Sequence, residues 1–553
     1  MALQPYTGTF GPSELRHLLR RSLFGAGPAD MAHFQGMSLG QAVDELLSFT
    51  NDTTPPLKAY STMGPGGVPD PALVDAVVPF GEPWIDHVRQ MGNPPNPIPK
   101  RNESLQQWWV GQLVGQQRNL REKLTLFWAN HLGIQVAVVF KPECSYWHNQ
   151  LMRDHCKGNA KQLMTGLAMD GAMLIYLNGT YNMAGAPDEN FGRELMELYT
   201  LGVDSGYTQE DVAAAARVFT GWTVTESING AAVLPQVVFD PDRHDHGDKQ
   251  FSAFFNNTVV QGQSGPNGGE AEINAFMDMV FANETSSRFI VRELYRWLVR
   301  PEVDAVVEEE VIDPLAALFR EHLDAPDQME RVVRALLTSE HFFSDDVRGC
   351  MVKSPVDHTV GLIRASLMPM PGPDHFEAQY NVWRKVLGLM TDQGQTIGEP
   401  PNVAGWPAYY QAPLFDLGWM DTAAIRARAD AVRRVGRLGF TTPGDLVLPA
   451  DRNLAFKVNY VDLVAHFANP ADPNALVQEA ADTFYGLPVS ATVLTQLKTQ
   501  YLLQGQTNDG YWTNAYNTYI SNPGTTDPSA MQVPGMLKEL FLKMFEAGEF
   551  QLF

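Results

Sequence analysis

The sequence predicts a mainly α protein: a multi-helical bundle that carries a small β insertion and ends in a C-terminal helical subdomain. Three observations predict it. Apolar residues recur at helical spacing through most of the 553 residues. Strand-like runs are confined to about 231–240 and 256–261. Pro/Gly-rich breaks fall at 53–70, 92–100, 369–374 and 440–450, between the helical stretches. At 44% hydrophobic the chain can bury a large core, organised as two or three domains or subdomains. The expected divisions are 1–222 as an N-terminal helical core and 223–262 as the β-containing insertion. A second helical region, 263–440, and the C-terminal subdomain, 441–553, follow.

The elements justify themselves in order. "SELRHLLRRSLFG" places Leu15, Leu18 and Leu19 on one face and Arg16 and Arg20 opposite, with Gly25 as a stop. "QQWWVGQLVGQQRNLREKLTLFWANHLG" reads as one long helix or two, ending at Gly133. "GNAKQLMTGLAMDGAML", "DENFGRELMELYTLG" and "TQEDVAAAARVFTGW" are further helical segments. In the last, Thr208 and Asp211 stand in capping-box spacing. Residues 272–299, 302–323, 327–339 and 353–368 continue the pattern, and a polar stretch, "QGQTNDGYWTNAYNTY", marks the C-terminal region.

A formal charge of −23 and a pI near 4.9 argue against nucleic acid or an anionic membrane as the main partner. Cys144, Cys156 and Cys350 are too few and too scattered for a disulfide framework or a cysteine zinc site. The first residues lack an apolar signal core, and no stretch approaches the roughly 18 apolar residues of a membrane span. The expected location is the cytoplasm, or the periplasm if a leader was trimmed.

"FDPDRHDHGDKQF", residues 239–251, holds the densest polar chemistry. In an extended segment His244 and His246 point the same way. With a carboxylate from Asp245 or Asp248 they could form part of a metal shell, and Gly247 would let the backbone turn closely. The structural alternative is a solvated turn whose aspartates cap nearby amides. In "GRELMELYTLG", Glu194 lies about 60° from the apolar centre of the helix and Glu197 at its margin. A carboxylate there must be paired, protonated or metal-bound. The open readings are an inward metal or acid/base pair, and an ion pair with Arg193, Arg217 or the Arg16, Arg20 and Arg21 set. His131, in "FWANHLG", continues the buried stripe of Leu124 and Phe127 in the last helical turn, as a ligand or as a core or cap residue.

Other chemistries are excluded. No G-x-S-x-G or P-loop motif is present, nor a G-x-G-x-x-G in a nucleotide-binding context. "DSGYTQED" resembles a calcium loop, but counting from Asp204 puts Ala215 where an EF-hand needs its bidentate glutamate. "GWTV" and "AGWPAYYQ" are expected to pack their aromatics against turns rather than stack on a ligand.

Several stretches together resemble the bacterial domain of unknown function 1800 family. They are "RHLLRRSLFG" (16–25), "REKLTLFWANHLG" (121–133), "NFGRELMELYTLGVDSGYTQEDVAAAARVFTGW" (190–222), "DRHDHGDKQF" (242–251), "VKSPVDHTVGLIRA" (352–365), "PPNVAGWP" (400–407) and the closing "FEAGEFQLF". "KQFSAFFNNTVVQGQSG" and "GWPAYYQ" look most like the subgroup common in Bacteroidota. The resemblance implies no reaction. It implies a functional pairing with a phosphatase- or sulfatase-like protein of the domain of unknown function 1501 family. Relatives often carry histidine where this chain has Tyr199 and Ala129, which weakens a metal set here.

Two functions are therefore expected as alternatives. One is a metal-dependent hydrolase or oxidase in which His131, Glu194, Glu197, His244 and His246 ligate zinc, iron or manganese. Glu194, Glu197 or Asp245 would serve it as base. It requires the insertion to close over the bundle. The other is a non-catalytic helical scaffold or escort for the phosphatase-like partner.

Overall fold

The computed structural model describes residues 3–89 and 96–553. Helices dominate it, and the strands form only two-stranded antiparallel sheets. The fold is mainly α, as the periodicity predicts. The first helix is Pro12–Ser22, with Leu15, Leu18 and Leu19 buried. It is stopped near Gly25, where φ is +76°. A side chain at Gly25 would put its Cβ 2.7 Å from the Cα of Gly361. This close approach seats the first helix on the helix Pro355–Ala365.

The tryptophan-rich segment forms two helices, Ile98–Val114 and Arg121–His131. Gln116 fills the break by accepting the Phe24 N–H at 2.8 Å and donating to the Asn119 carbonyl at 3.0 Å. The helix Glu189–Glu194 runs on into a π-helical turn, Leu195–Thr200. The capping box of the next helix, Gln209–Val218, forms as spaced. Thr208 Oγ1 accepts the Asp211 N–H at 3.2 Å, and Asp211 Oδ2 accepts the Thr208 N–H at 2.8 Å.

The β component differs from expectation in its pairing. Ala231–Phe239 pairs with Trp222–Ile228, not with the later run. Asn229 and Gly230, both at positive φ, make the tight turn between them. Of the 256–261 run only Val259–Val260 is extended, against Lys249–Gln250. The helices Gly268–Ala282 and Glu284–Leu298 then return to the bundle.

The C-terminal region is helical, with Pro473–Phe484, Asp509–Ser521 and Val533–Glu546. One apolar core runs from Leu15 to Phe550. Val352, Trp406, Ala408 and Trp419 make a small second cluster, so the tryptophan of "AGWPAYYQ" packs as expected. The 53–70 break is an excursion without α-helix. Residues 92–95 of the next break lie outside the described residues.

Candidate functional site

The polar loop folds as a closed ion-pair network. Gly221, at φ +91°, brings the loop in: a Cβ there would lie 3.1 Å from that of His244. His244 is buried. Its Nδ1 donates to the Thr220 carbonyl at 2.9 Å, and its Nε2 lies 3.0 Å from Glu272 Oε1. Lys249, wholly enclosed, places Nζ 2.5 Å from Glu272 Oε2 and also donates to the Asp245 carbonyl. Arg217 grips both oxygens of Asp245, at 2.8 and 2.9 Å. That fork holds the Asp245 carboxyl below the usual carboxylate range. His246 is exposed and donates from Nδ1 to the Gln263 carbonyl at 2.8 Å. His244 and His246 are neighbours, with ring centroids 5.6 Å apart. Both nitrogens of His244 face protein groups, whereas His246 engages only through Nδ1. Two cations, Arg217 and Lys249, meet two carboxylates, Asp245 and Glu272.

The second group lies on the π-helical turn. His131 donates from Nε2 to the Tyr199 carbonyl at 2.9 Å and lies parallel to Phe127, centroids 5.9 Å apart. Burial holds its imidazole below the usual range. Glu197 accepts from the Tyr207 hydroxyl at 3.4 Å. None of the expected arginines pairs with Glu194 or Glu197 among the described residues, which corrects the ion-pair expectation: Arg193 binds Glu189 at 2.8 Å, Arg217 binds Asp245, and Arg20 and Arg21 bind backbone carbonyls. Glu194 is half-buried. Desolvation, then the Glu197 charge, raise its carboxyl above the usual range. Among the described residues no hydrogen bond or ion pair links Glu194 or Glu197 to His244 or Asp245. No group of three or more His, Cys, Asp or Glu among them is arranged to hold a metal.

A different place gathers the segments that carry the family resemblance. Arg20 and Arg21 end the first helix, and Lys123 opens the helix Arg121–His131. Lys353 and Asp357 stand at the head of Pro355–Ala365, and the last residues of the chain pair alongside through Val352 and Leu552. Lys123 pairs with Asp357. The other cations rest on neutral acceptors. Arg20 donates to the carbonyls of Asp482 and Thr483, both at 2.9 Å. Arg21, at 0% exposure, donates to the Val347 carbonyl at 2.7 Å, while its Nε and Nη1 have no acceptor. Lys353 donates to the Phe550 carbonyl at 2.6 Å. Arg428, from the helix Thr422–Val432, binds Gln551 at 3.0 Å and the Lys353 carbonyl at 2.7 Å. Asp416, which accepts the Val352 N–H at 2.5 Å, and Asp482, beside Arg20, are further carboxylates at this joint. Five buried or half-buried cations thus face three carboxylates among the described residues, inside a protein of net charge −23.

Next to this joint opens a cleft of about 380 Å³, between the first two helices and the C-terminal region. Phe10, Met31, Phe34 and Phe467 supply apolar walls, His466 adds an imidazole, and Arg16 supplies positive charge. Arg16 has no hydrogen-bond or ion-pair partner among the described residues. Glu479, also in the wall, is engaged: both its oxygens accept the Ala468 N–H, at 2.9 and 3.1 Å. Sequence reasoning assigned Arg16 to the polar face of its helix and to a set of ion-pair partners for Glu194 and Glu197. The signal available was an arginine at i, i+4 from Arg20 on an amphipathic helix.

Fold and site together define a helical protein with a ligand-sized cleft at a cationic joint. Comparison with known families places it: the match to "Protein of unknown function (DUF1800)" covers residues 17–551, and the chain belongs to that family. No similar curated protein and no similar solved structure was found. No helix among the described residues is long and apolar enough to cross a membrane.

Proposed function

We propose that the protein binds an organic anion, a small molecule with a phosphate, sulfate or carboxylate group on an apolar body, in the 380 Å³ cleft. One observation carries this reading: Arg16 stands unpaired in a cleft of ligand size that also offers aromatic and methionine side chains, and the one carboxylate in the wall, Glu479, is turned to the Ala468 N–H. A guanidinium presents a planar fork of donors that matches such oxyanions, and a half-enclosed cation gains from a counter-charge. Burial of the apolar body against Phe34 and Phe467 supplies the remaining affinity.

The reading is of binding rather than catalysis. It fits the escort alternative, in which the cleft offers a phosphate or sulfate ester to a phosphatase- or sulfatase-like partner. The metal-enzyme alternative draws less support, because His244 and Asp245 of the 239–251 loop are engaged with Thr220, Glu272 and Arg217.

Isothermal calorimetry tests it, with phenyl phosphate, phenyl sulfate, benzoate and inorganic phosphate as ligands. The expected result is saturable heat with the aromatic anions, weakened about tenfold or more in Arg16→Gln. No heat with any organic anion, or equal affinity in the variant, overturns the proposal.

A further inference from the structure

Behind Arg20 lies a second cavity, of about 20 Å³, with Arg20, Lys353, Asp357, Thr483, Phe550 and Phe553 in its wall. Such a volume admits one water-sized species. Its charged lining is not used up by the protein. Arg20 binds the Asp482 and Thr483 carbonyls through Nη2 alone, so Nε and Nη1 have no acceptor among the described residues. Lys353 donates one N–H to the Phe550 carbonyl, and its Nζ lies 3.8 Å from the centre of the Phe550 ring, leaving further N–H groups without an acceptor. Asp357 is the one acidic side chain in the wall among the described residues, and both its oxygens are taken. Oδ1 meets Lys123, and Oδ2 accepts the Ser354 hydroxyl at 2.7 Å. The wall therefore carries two cations from different elements with unused N–H groups, while its aspartate is paired with Lys123.

We propose that this cavity is a binding site for a water-sized anion of the halide class, chloride in solution, held between Arg20 and Lys353. The lining selects the ligand: a small anion meets the unused N–H groups of Arg20 and Lys353, whereas a water molecule would fill the space without offsetting the charge.

The cations around Lys353 outnumber the one aspartate that opposes them. Desolvation comes first, then Arg20 from the first helix, against Asp357 of its own helix, with Arg428 and Lys123 adding to it. Together they lower the ammonium to about 7. An anion in the cavity stabilises the protonated lysine, so chloride affinity falls as pH rises through that value. The site is independent of the cleft reading. Arg16 is not in its wall, and the anion that fits is too small to bridge to the cleft ligand.

The experiment uses the whole chain, exchanged into sodium gluconate and titrated with sodium chloride at constant ionic strength. Chloride is expected to raise the melting temperature saturably, by about 2–4 °C, more at about pH 6 than at about pH 8. The chloride NMR line should broaden in the presence of wild-type protein, and both effects should vanish in Lys353→Gln and Arg20→Gln. Identical melting in chloride and gluconate with an unbroadened line overturns the proposal. So does broadening that persists in both variants. The line width of the wild type at the two pH values decides the matter if neither variant folds.

Discussion

Lys249 and Lys353 are held in opposite ways within one protein. Lys249, in the polar loop, is fully enclosed with Nζ 2.5 Å from a Glu272 oxygen, and His244 flanks the same carboxylate. Lys353, at the joint, meets a backbone carbonyl and is surrounded by Arg20, Arg428 and Lys123, against Asp357 alone. The difference teaches that charged letters crowded in a sequence do not mark the charges available to a ligand. The 239–251 stretch is dense because it neutralises itself together with Arg217 and Glu272. The joint draws one or two cations from each of four separated segments, so no single segment looks unusual, and its surplus exists only once they fold together.

The largest expected effect breaks the comparison at its root. Lys249→Met leaves Glu272 buried without its ammonium and should cost about 3–5 kcal/mol in urea unfolding. Lys353→Met, in chloride-free buffer, removes a cation that has no free counter-charge and should change stability by under about 1 kcal/mol, or raise it. Equal losses in the two variants would erase the distinction.

A smaller effect sharpens the loop side. Arg217 lowers the Asp245 carboxyl, so its contribution is present above the unfolded carboxylate range and is lost as pH falls through the folded value. Arg217→Gln should cost about 1 kcal/mol at neutral pH, with the deficit shrinking in acid. A pH-independent deficit in thermal melts would assign the loss to packing instead. The smallest effect concerns Glu194, whose raised carboxyl has the opposite sign. Ionisation opposes folding as pH climbs above the unfolded range. Glu194→Gln should therefore stabilise by under ~0.5 kcal/mol at neutral pH and have no effect in acid, given its half-exposed setting. Destabilisation by this variant at neutral pH would mean that the ionised carboxylate has a partner.

Much of the fold was legible because helical periodicity is a local property. Leu15, Leu18 and Leu19 are buried as spaced, and the Thr208–Asp211 capping box forms. The strand Trp222–Ile228 was missed although "NG" at Asn229–Gly230 is a strong hairpin signal; Trp222 was read instead with the preceding helix. The candidate site was less legible. His244 and Asp245 were singled out as a metal ligand and a base; the structure holds both in one ion-pair network, whose other members Glu272 and Lys249 look like ordinary surface residues in the sequence. Glu272 sits in a helix 27 positions after Asp245, a separation no spacing rule connects. Arg16 and Lys353 carry no local sign of being unpaired, because the absence of a partner is a property of the folded neighbourhood.

The most direct test of the central claim, that the available charge is on the first helix and not in the polar loop, is calorimetric titration of phenyl phosphate into three proteins. These are the wild type, Arg16→Gln and His246→Ala, the last changing an exposed loop residue. The account predicts saturable binding to the wild type and His246→Ala with equal affinity, and a loss of about tenfold or more in Arg16→Gln. Binding that survives in Arg16→Gln and falls in His246→Ala would contradict it and return the site to the 239–251 loop.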